Sequence, residues 1–187
     1  MRAIKLCFTL CLALILSACS TFNVSTDYNP KLTTDHWKNY RWQLADISPK
    51  DPYDSDLTRQ RIVNAMNKEL QAKGFNLTEN KTADFHISYF FLVEPKIDVH
   101  RFYNHRCPWV GCSHARYETY VDEYQYGSII VDIHDGTTNE LQWRGIVGSR
   151  VSEGATPQER EETIGLAITE LMKAFPPKES LKEEKAL

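Results

Sequence analysis

The alternation of apolar and polar residues is strongest between Ala83 and Glu94. Every second side chain from Phe85 onward is large and apolar, and Phe90 and Leu92 make the end of the segment apolar on both faces. Alternation with a period of two is typical of a strand with one buried face, and a segment that is apolar on both faces indicates a strand inside a sheet. We therefore predict a central strand at 83–94.

Other segments alternate less strongly. Residues 127–135 alternate, a turn signal follows at Asp135-Gly136, and the alternation resumes over 141–147, which predicts a β-hairpin. Residues 39–44 alternate aromatic and polar side chains and predict a short strand. Residues 21–30 alternate only loosely and predict either a first strand or a loose tether to the lipid.

Helical spacing replaces alternation in two places. Asp54, Ser55 and Asp56 offer side-chain oxygens that can cap a helix, and apolar residues follow at helical spacing until Gly74, a residue that can adopt the left-handed conformation after a helix end. The apolar residues of this first helix are Ile62, Met66 and Leu70.

The second helix has the clearer start signal. Thr156 and Glu159 form a capping-box pattern, and Pro157 occupies the first helical position. Its apolar positions are Ile164, Ala167, Ile168, Leu171 and Phe175, and Pro176-Pro177 end the pattern. Two amphipathic helices need a shared apolar surface, which the sheet supplies. The fold class predicted is therefore α+β, a two-layer sandwich with a mostly antiparallel sheet and two helices packed on one face.

The first residues carry the features of a secretory signal. Arg2 and Lys5 supply the positive charges of such a signal, and residues 3–16 form its apolar region, which is too short to span a bilayer of about 30 Å as a helix. The run ends in Leu16-Ser17-Ala18-Cys19, which resembles the bacterial lipobox; this resemblance implies cleavage before Cys19 and lipidation of its thiol. Ser20 stands where lipoproteins of the inner membrane often carry Asp, so the same resemblance implies the outer membrane, with the domain facing the periplasm.

Cleavage before Cys19 changes the length and the net charge of the mature chain. Without residues 1–18 the chain has 169 residues, 20 basic and 25 acidic side chains and a formal charge of −5, so it lacks the positive field of a nucleic-acid-binding protein. We predict a single domain at 19–177 with an excursion at 95–118, and a charged C-terminal tail at 178–187. The partners expected are the membrane, through the lipid, and an envelope protein.

The excursion contains the residues with the most distinctive chemistry. Cys107 and Cys112 are predicted to form a disulfide, because an exported chain is in an oxidising compartment. The alternative is a zinc or copper site made by His105, Cys107, Cys112 and His114. No other metal site and no cofactor are expected.

The segments flanking these cysteines, 96–103 and 117–126, can pair as a hairpin. Exposed aromatic residues interleaved with arginines are typical of a binding surface, although such rings also pair across strands in ordinary sheets. The candidate binding residues are Arg101, Tyr103, Arg106, Trp109, Arg116 and Tyr117.

Catalytic patterns are weak in this sequence. It contains no Gly-rich phosphate loop, no Gly-x-Ser-x-Gly and no His-Glu-x-x-His motif. Asp132, His134 and Arg144 fall on neighbouring predicted strands, where cross-strand polar pairing explains them more simply than acid-base catalysis does. We therefore expect a protein that is not an enzyme, with an unrecognised hydrolase as an alternative.

Several short motifs resemble one known family. They are Asp27-Tyr28, Tyr40-Arg41-Trp42, residues 70–75, Ala83-Asp84-Phe85, residues 127–135, residues 141–145 and Phe175-Pro176-Pro177. With these the chain resembles the bacterial lipoprotein family catalogued as domain of unknown function 4136. The resemblance implies an envelope location and an α+β domain but no reaction. Residues 95–118 depart from it, since family members tend to be Gly-rich there. The function predicted is an outer-membrane structural or interaction lipoprotein.

Overall fold

The computed structural model describes residues 22–43, 55–80, 82–104 and 116–177, with the backbone alone at 103–104 and 116–118. These residues form six strands and two helices: β1 (Asn23–Tyr28), β2 (Asn39–Trp42), α1 (Asp56–Ala72), β3 (Asn76–Leu77), β4 (Phe85–Asn104), β5 (Arg116–Asp135), β6 (Leu141–Arg150) and α2 (Pro157–Met172).

The strands form one open sheet in the order β1-β6-β5-β4-β2-β3. The pairs β1/β6, β6/β5 and β5/β4 are antiparallel, whereas β2 is parallel to both β3 and β4. The parallel pairs arise because the chain leaves β2 through α1 before it returns to the sheet, a crossover that brings the next strand back in the same direction. The α+β prediction is confirmed, and the sheet is mixed.

Helix α1 begins and ends at the residues that the sequence indicates. The Ser55 hydroxyl accepts a hydrogen bond from the backbone N–H of Thr58 at 3.3 Å. At the other end Gly74 has a φ of 91°, and the Phe75 N–H donates to the Leu70 carbonyl at 3.0 Å. A left-handed glycine followed by this backward bond is the Schellman arrangement, which satisfies carbonyls that the helix leaves free.

Helix α2 starts with the predicted capping box. The Glu159 N–H donates to the Thr156 hydroxyl at 3.2 Å, and the Thr156 N–H donates to the Glu159 carboxylate at 2.7 Å. These bonds lower the pKa of Glu159. The helix ends at Met172, earlier than the prolines suggest, but Phe175 still lies in the core, since it is only 1% exposed.

The core lies between the helices and one face of the sheet. Its largest fully buried side chains include Tyr40, Phe85, Trp143 and Phe175, and the rings of Phe85 and Trp37 stack with centroids 4.7 Å apart. Burying a side chain of this size contributes roughly 2–3 kcal/mol to stability. The aromatic cluster therefore anchors both helices to one end of the sheet.

At the other end of the sheet, β4 and β5 continue far beyond their neighbours. Their pairing runs without interruption from Phe85↔Asp135 to Asn104↔Arg116. Strand β6 reaches only to Arg150, opposite Tyr126, and β2 only to Trp42, opposite Ile87. Residues 95–104 and 116–125 thus form a two-stranded extension, here named the ribbon. The hairpin pairing predicted for 96–103 and 117–126 is confirmed. The strands predicted at 83–94 and 127–135 are longer than expected, because β4 and β5 each continue from the main sheet into the ribbon.

In the part of the chain that the structure describes, no helix is both long enough and apolar enough to cross a membrane.

Candidate functional site

The candidate residues of the excursion are only partly described. Arg101 is exposed on β4 opposite Thr119, while Tyr103 pairs with Tyr117 and Asn104 with Arg116 through their backbones. Seven of the predicted site residues lie outside the described residues: Cys19, His105, Arg106, Cys107, Trp109, Cys112 and His114. The predicted lipidation, disulfide, alternative metal site and binding roles of these residues therefore stay predictions. Among the described residues no cluster of three or more His, Cys, Asp or Glu side chains is placed to hold a metal ion.

The ribbon exposes apolar side chains on both faces. Strand alternation places one group on the face that continues the helix-covered side of the sheet and the other group on the opposite face. The first group is Ile97, Val99 and Val121, which are 60%, 58% and 51% exposed, and the second is Phe102 and Tyr120, each 59% exposed. A long strand pair with apolar residues exposed on both faces is a template for association with another chain.

Arg150 fixes the base of the ribbon. Asp98 and Asp122 stand directly opposite each other on β4 and β5, where two carboxylates repel each other. The Arg150 guanidinium donates to Asp98 at 2.5 Å and to Asp122 at 3.3 Å, and it lies 3.7 Å from the centroid of the Tyr124 ring. The arginine at the end of β6 therefore joins the ribbon to the sheet.

A second contact joins the ribbon base to the edge strand. The Lys96 ammonium lies 3.8 Å from the centroid of the Tyr126 ring, and the Tyr126 hydroxyl accepts a hydrogen bond from the Asn23 side chain at 2.9 Å. The Tyr126 ring lies over Gly148, where a Cβ atom would come within 2.6 Å of it. A glycine is needed at this position because any larger residue would displace the ring.

A pocket of about 150 Å³ opens beside the ribbon base, between the sheet and the first turns of both helices. Its apolar lining comes from the sheet, α2 and the segment after β6, and includes Phe91, Ile129, Val147, Val151, Ile164 and Ala167. Arg61 of α1 and Arg160 of α2 also line it, and none of its described lining residues is acidic. The Arg160 Nε atom donates to the Ala155 carbonyl at 3.1 Å, which leaves its two terminal nitrogens for other partners.

No local pattern in the sequence predicts this pocket. Arg61 and Arg160 lie about 100 residues apart in the chain, and only the tertiary fold brings them to one pocket.

The opposite face of the sheet carries the residues of the hydrolase alternative. Arg144 donates from two nitrogens to the two carboxylate oxygens of Asp132, each at 2.6 Å, and this contact raises the pKa of Arg144. His134 lies across from His86 on β4. Neither Asp132 nor His134 lines the described pocket, which is on the helix side. The Asp132–Arg144 contact is the cross-strand polar pair that the sequence favours.

His86, on the same face, also has a perturbed pKa. Among the described residues neither of its ring nitrogens has a hydrogen-bond partner of good geometry. Burial and the Arg41 guanidinium lower the pKa of His86, and the Asn139 side chain offsets part of this shift. The neutral imidazole is therefore favoured over the charged form.

Comparison with known proteins identifies one family. The model of the family described as "Domain of unknown function (DUF4136)" matches residues 24–177. No curated protein gives a significant match.

Similar solved structures share low sequence identity with the chain. A PDZ domain protein from Parabacteroides distasonis is 13% identical with a TM-score of 0.49; the match covers 83% of this chain, which spans about a third (36%) of that one. The PelC dodecamer from Paraburkholderia phytofirmans is 12% identical, with a TM-score of 0.46 and coverages of 81% and 94%. A minor lipoprotein from Acinetobacter baumannii is 11% identical, with a TM-score of 0.37 and coverages of 73% and 87%.

Proposed function

Because the chain belongs to the DUF4136 family, whose function is unknown, we propose from its sequence and geometry that it is a lipid-anchored protein of the bacterial cell envelope. The lipid holds the domain on the outer membrane, facing the periplasm, and the ribbon binds a partner protein there. The protein acts through association and not through catalysis.

The lipobox-like segment supports the anchor. Cys19 follows a short apolar run and a small residue, Ala18, as lipidation requires. A single acyl chain of myristoyl length binds membranes only marginally, whereas two or more chains anchor a protein stably.

The position of β1 supports the proposal that the ribbon lies close to the membrane surface. Asn23 begins β1 at the same end of the sheet as the ribbon, since its side chain contacts Tyr126. Four residue steps from Cys19 to Asn23 span at most about 14 Å, whereas a ribbon strand of ten residues is about 33 Å long. An anchored domain therefore holds the ribbon close to the membrane surface, where it can reach a partner embedded in or attached to the same membrane.

The observation that carries the proposal is the exposure of the ribbon's apolar side chains. In a monomer, Ile97, Val99 and Phe102 would stay in water on a strand pair that no other described strand covers. Association with a partner removes this apolar surface from water, which is favourable by about 25 cal/mol for each Å².

The test is crosslinking in cells followed by mass spectrometry of the lipidated protein. In one variant an Asn-Gly turn replaces residues 97–123, because Lys96 and Tyr124 are paired and an Asn-Gly turn can close a hairpin there. We expect the wild type to crosslink to a specific envelope protein and the shortened variant to lose that partner.

A milder variant separates loss of binding from loss of folding. Changing Ile97 and Val99 to Ser should also remove the partner, whereas Leu166→Ser, at a similarly exposed position on α2, should keep it. All variants should unfold at temperatures close to that of the wild type. An unchanged set of crosslinked partners in the shortened variant would disprove the role of the ribbon.

A further inference from the structure

We propose that the pocket between the sheet and the helix N-termini binds a small amphipathic anion, namely a ring or a short branched chain that carries a carboxylate. This site is separate from the partner surface on the ribbon and does not depend on it.

The apolar part of the ligand follows from the lining. Phe91 and Ile129 come from the central strands, Val147 from β6 and Ile164 from α2, so that both layers of the domain contribute apolar walls. An apolar cavity of about 150 Å³ is large enough to hold a benzene-sized group. Water gains few hydrogen bonds from such walls, and an apolar group would displace it favourably.

The anionic part follows from the charges. Arg61 and Arg160 reach the pocket from two different helices, and no Asp or Glu is among its described lining residues. Within the described part of the chain, neither arginine has a carboxylate within ion-pair distance. Guanidinium groups bind carboxylates through paired hydrogen bonds, and the helix N-termini add a positive potential at the same end.

Hydroxyl groups complete the polar side of the pocket. Thr58, Ser149, Ser152 and Thr163 line it together with the arginines. The Thr163 hydroxyl already donates to the Glu159 carbonyl at 2.7 Å, so it can only accept a further hydrogen bond. The arrangement is typical of small-molecule sites, which combine apolar walls with a few polar groups that orient the ligand.

The test uses defined probes and the amide NMR spectrum of the full mature chain. Benzoate carries both parts of the ligand, benzyl alcohol carries only the ring, and inorganic phosphate carries only the charge. We expect benzoate to shift the resonances of the residues that line the pocket, and the other two probes to bind at least about tenfold more weakly.

Matched variants connect the binding to the arginines. Arg61→Gln and Arg160→Gln should each weaken benzoate binding about tenfold, which is the effect of losing one charge-assisted hydrogen bond. Lys68→Gln removes the same charge from an exposed position on α1 outside the pocket and should leave binding unchanged. Thr163→Trp, which fills the exposed mouth of the pocket, should block it.

Two peptides then distinguish the source of the ligand. If the natural ligand is the end of a polypeptide, a tetrapeptide that ends in Phe with a free carboxylate will bind more tightly than benzoate, and its amide will not bind. If the ligand is a free acid, benzoate will bind at least as tightly as the peptide. Equal affinity of benzoate for the wild type and the Arg61→Gln/Arg160→Gln double variant would overturn the proposal, as would equal binding of benzyl alcohol and benzoate.

Discussion

At the residue scale, the Asp132–Arg144 ion pair is asymmetric. Asp132 is only 3% exposed, while the Arg144 side chain is 45% exposed. The carboxylate has therefore given up most of its hydration, and the guanidinium has kept much of its own. A buried charge without its partner is costly, whereas an exposed one is not.

This asymmetry predicts unequal costs for the two halves of the pair. Arg144→Met leaves a buried carboxylate unpaired and should lower the free energy of unfolding by about 2 kcal/mol, whereas Asp132→Asn leaves a half-exposed guanidinium and should cost about 1 kcal/mol or less. The combined variant should be more stable than Arg144→Met alone. Urea denaturation measures all three values, and equal costs for the two single variants would contradict the assignment.

Tyr40 supplies a second prediction at this scale. Its side chain is fully buried, its hydroxyl donates to Asn67 at 2.9 Å, and burial raises the pKa of Tyr40 to about 12. In the unfolded chain its pKa is about 10, so the unfolded state ionises first as the pH rises. The stability that this difference contributes is complete below pH 10 and is lost between pH 10 and 12.

The expected loss is at most about 3 kcal/mol over this range, since one pKa unit corresponds to about 1.4 kcal/mol. Tyr40→Phe removes the ionisable group and should show a correspondingly smaller loss of stability between pH 10 and 12. The other tyrosines are common to both proteins and cancel in the difference. If the free energy of unfolding fell equally with pH in the two proteins, burial would not raise the pKa of the Tyr40 hydroxyl.

At the element scale, the ribbon is held to the sheet by the side chains at its base. Arg150 balances the facing carboxylates of Asp98 and Asp122, and Tyr126 packs over Gly148 and contacts β1 through Asn23. A ribbon fixed in this way presents its apolar residues in a defined direction, which reduces the conformational entropy lost when a partner binds.

We expect Arg150→Met to loosen the ribbon without unfolding the domain. The facing carboxylates would repel each other, so the backbone amides of 96–104 should exchange with deuterium faster, whereas those of β4 at 85–91 should be unaffected. Arg41→Met, on β2 outside the ribbon, is the matched control. Hydrogen exchange with mass spectrometry distinguishes the two regions. If the amides of 96–104 exchanged no faster in Arg150→Met than in Arg41→Met, the role of Arg150 would be contradicted.

Local signals in the sequence predict some of these elements better than others. The Thr156–Glu159 capping box and Gly74 act within a few residues, so the helix ends could be predicted from them. Strand β3 has only two residues and no alternation to detect, and its pairing with β2 depends on distant parts of the chain. The pocket was missed for the same reason, since Arg61 and Arg160 are brought together only by the tertiary fold.

At the scale of the whole molecule, the beginning of β1, the base of the ribbon and the pocket lie at one end of the domain, and the aromatic core lies at the other. Asn23, Arg150 and the first turns of both helices mark the end to which we assign the proposed interactions, while Phe85 and Phe175 mark the core. Substitutions at the end with the ribbon and the pocket should therefore change the proposed interactions with little effect on folding.

The anchor makes a prediction of its own. Cys19→Ser removes the thiol that lipidation requires, so the protein should lose incorporation of labelled palmitate. The ribbon partner should then be captured less often, because the protein is no longer held on the outer membrane by its lipid. If the Cys19→Ser protein still incorporated the label, the lipid could not be attached at this residue.

The most direct measurement for the central claim is site-specific photo-crosslinking in cells. A photoreactive amino acid at Phe102 or Tyr120 on the ribbon is compared with one at Leu166 on α2, which is similarly exposed. The proposed function predicts that both ribbon positions capture the same envelope protein and that Leu166 does not. Capture of the same proteins from all three positions, or no specific capture from the ribbon, would contradict it.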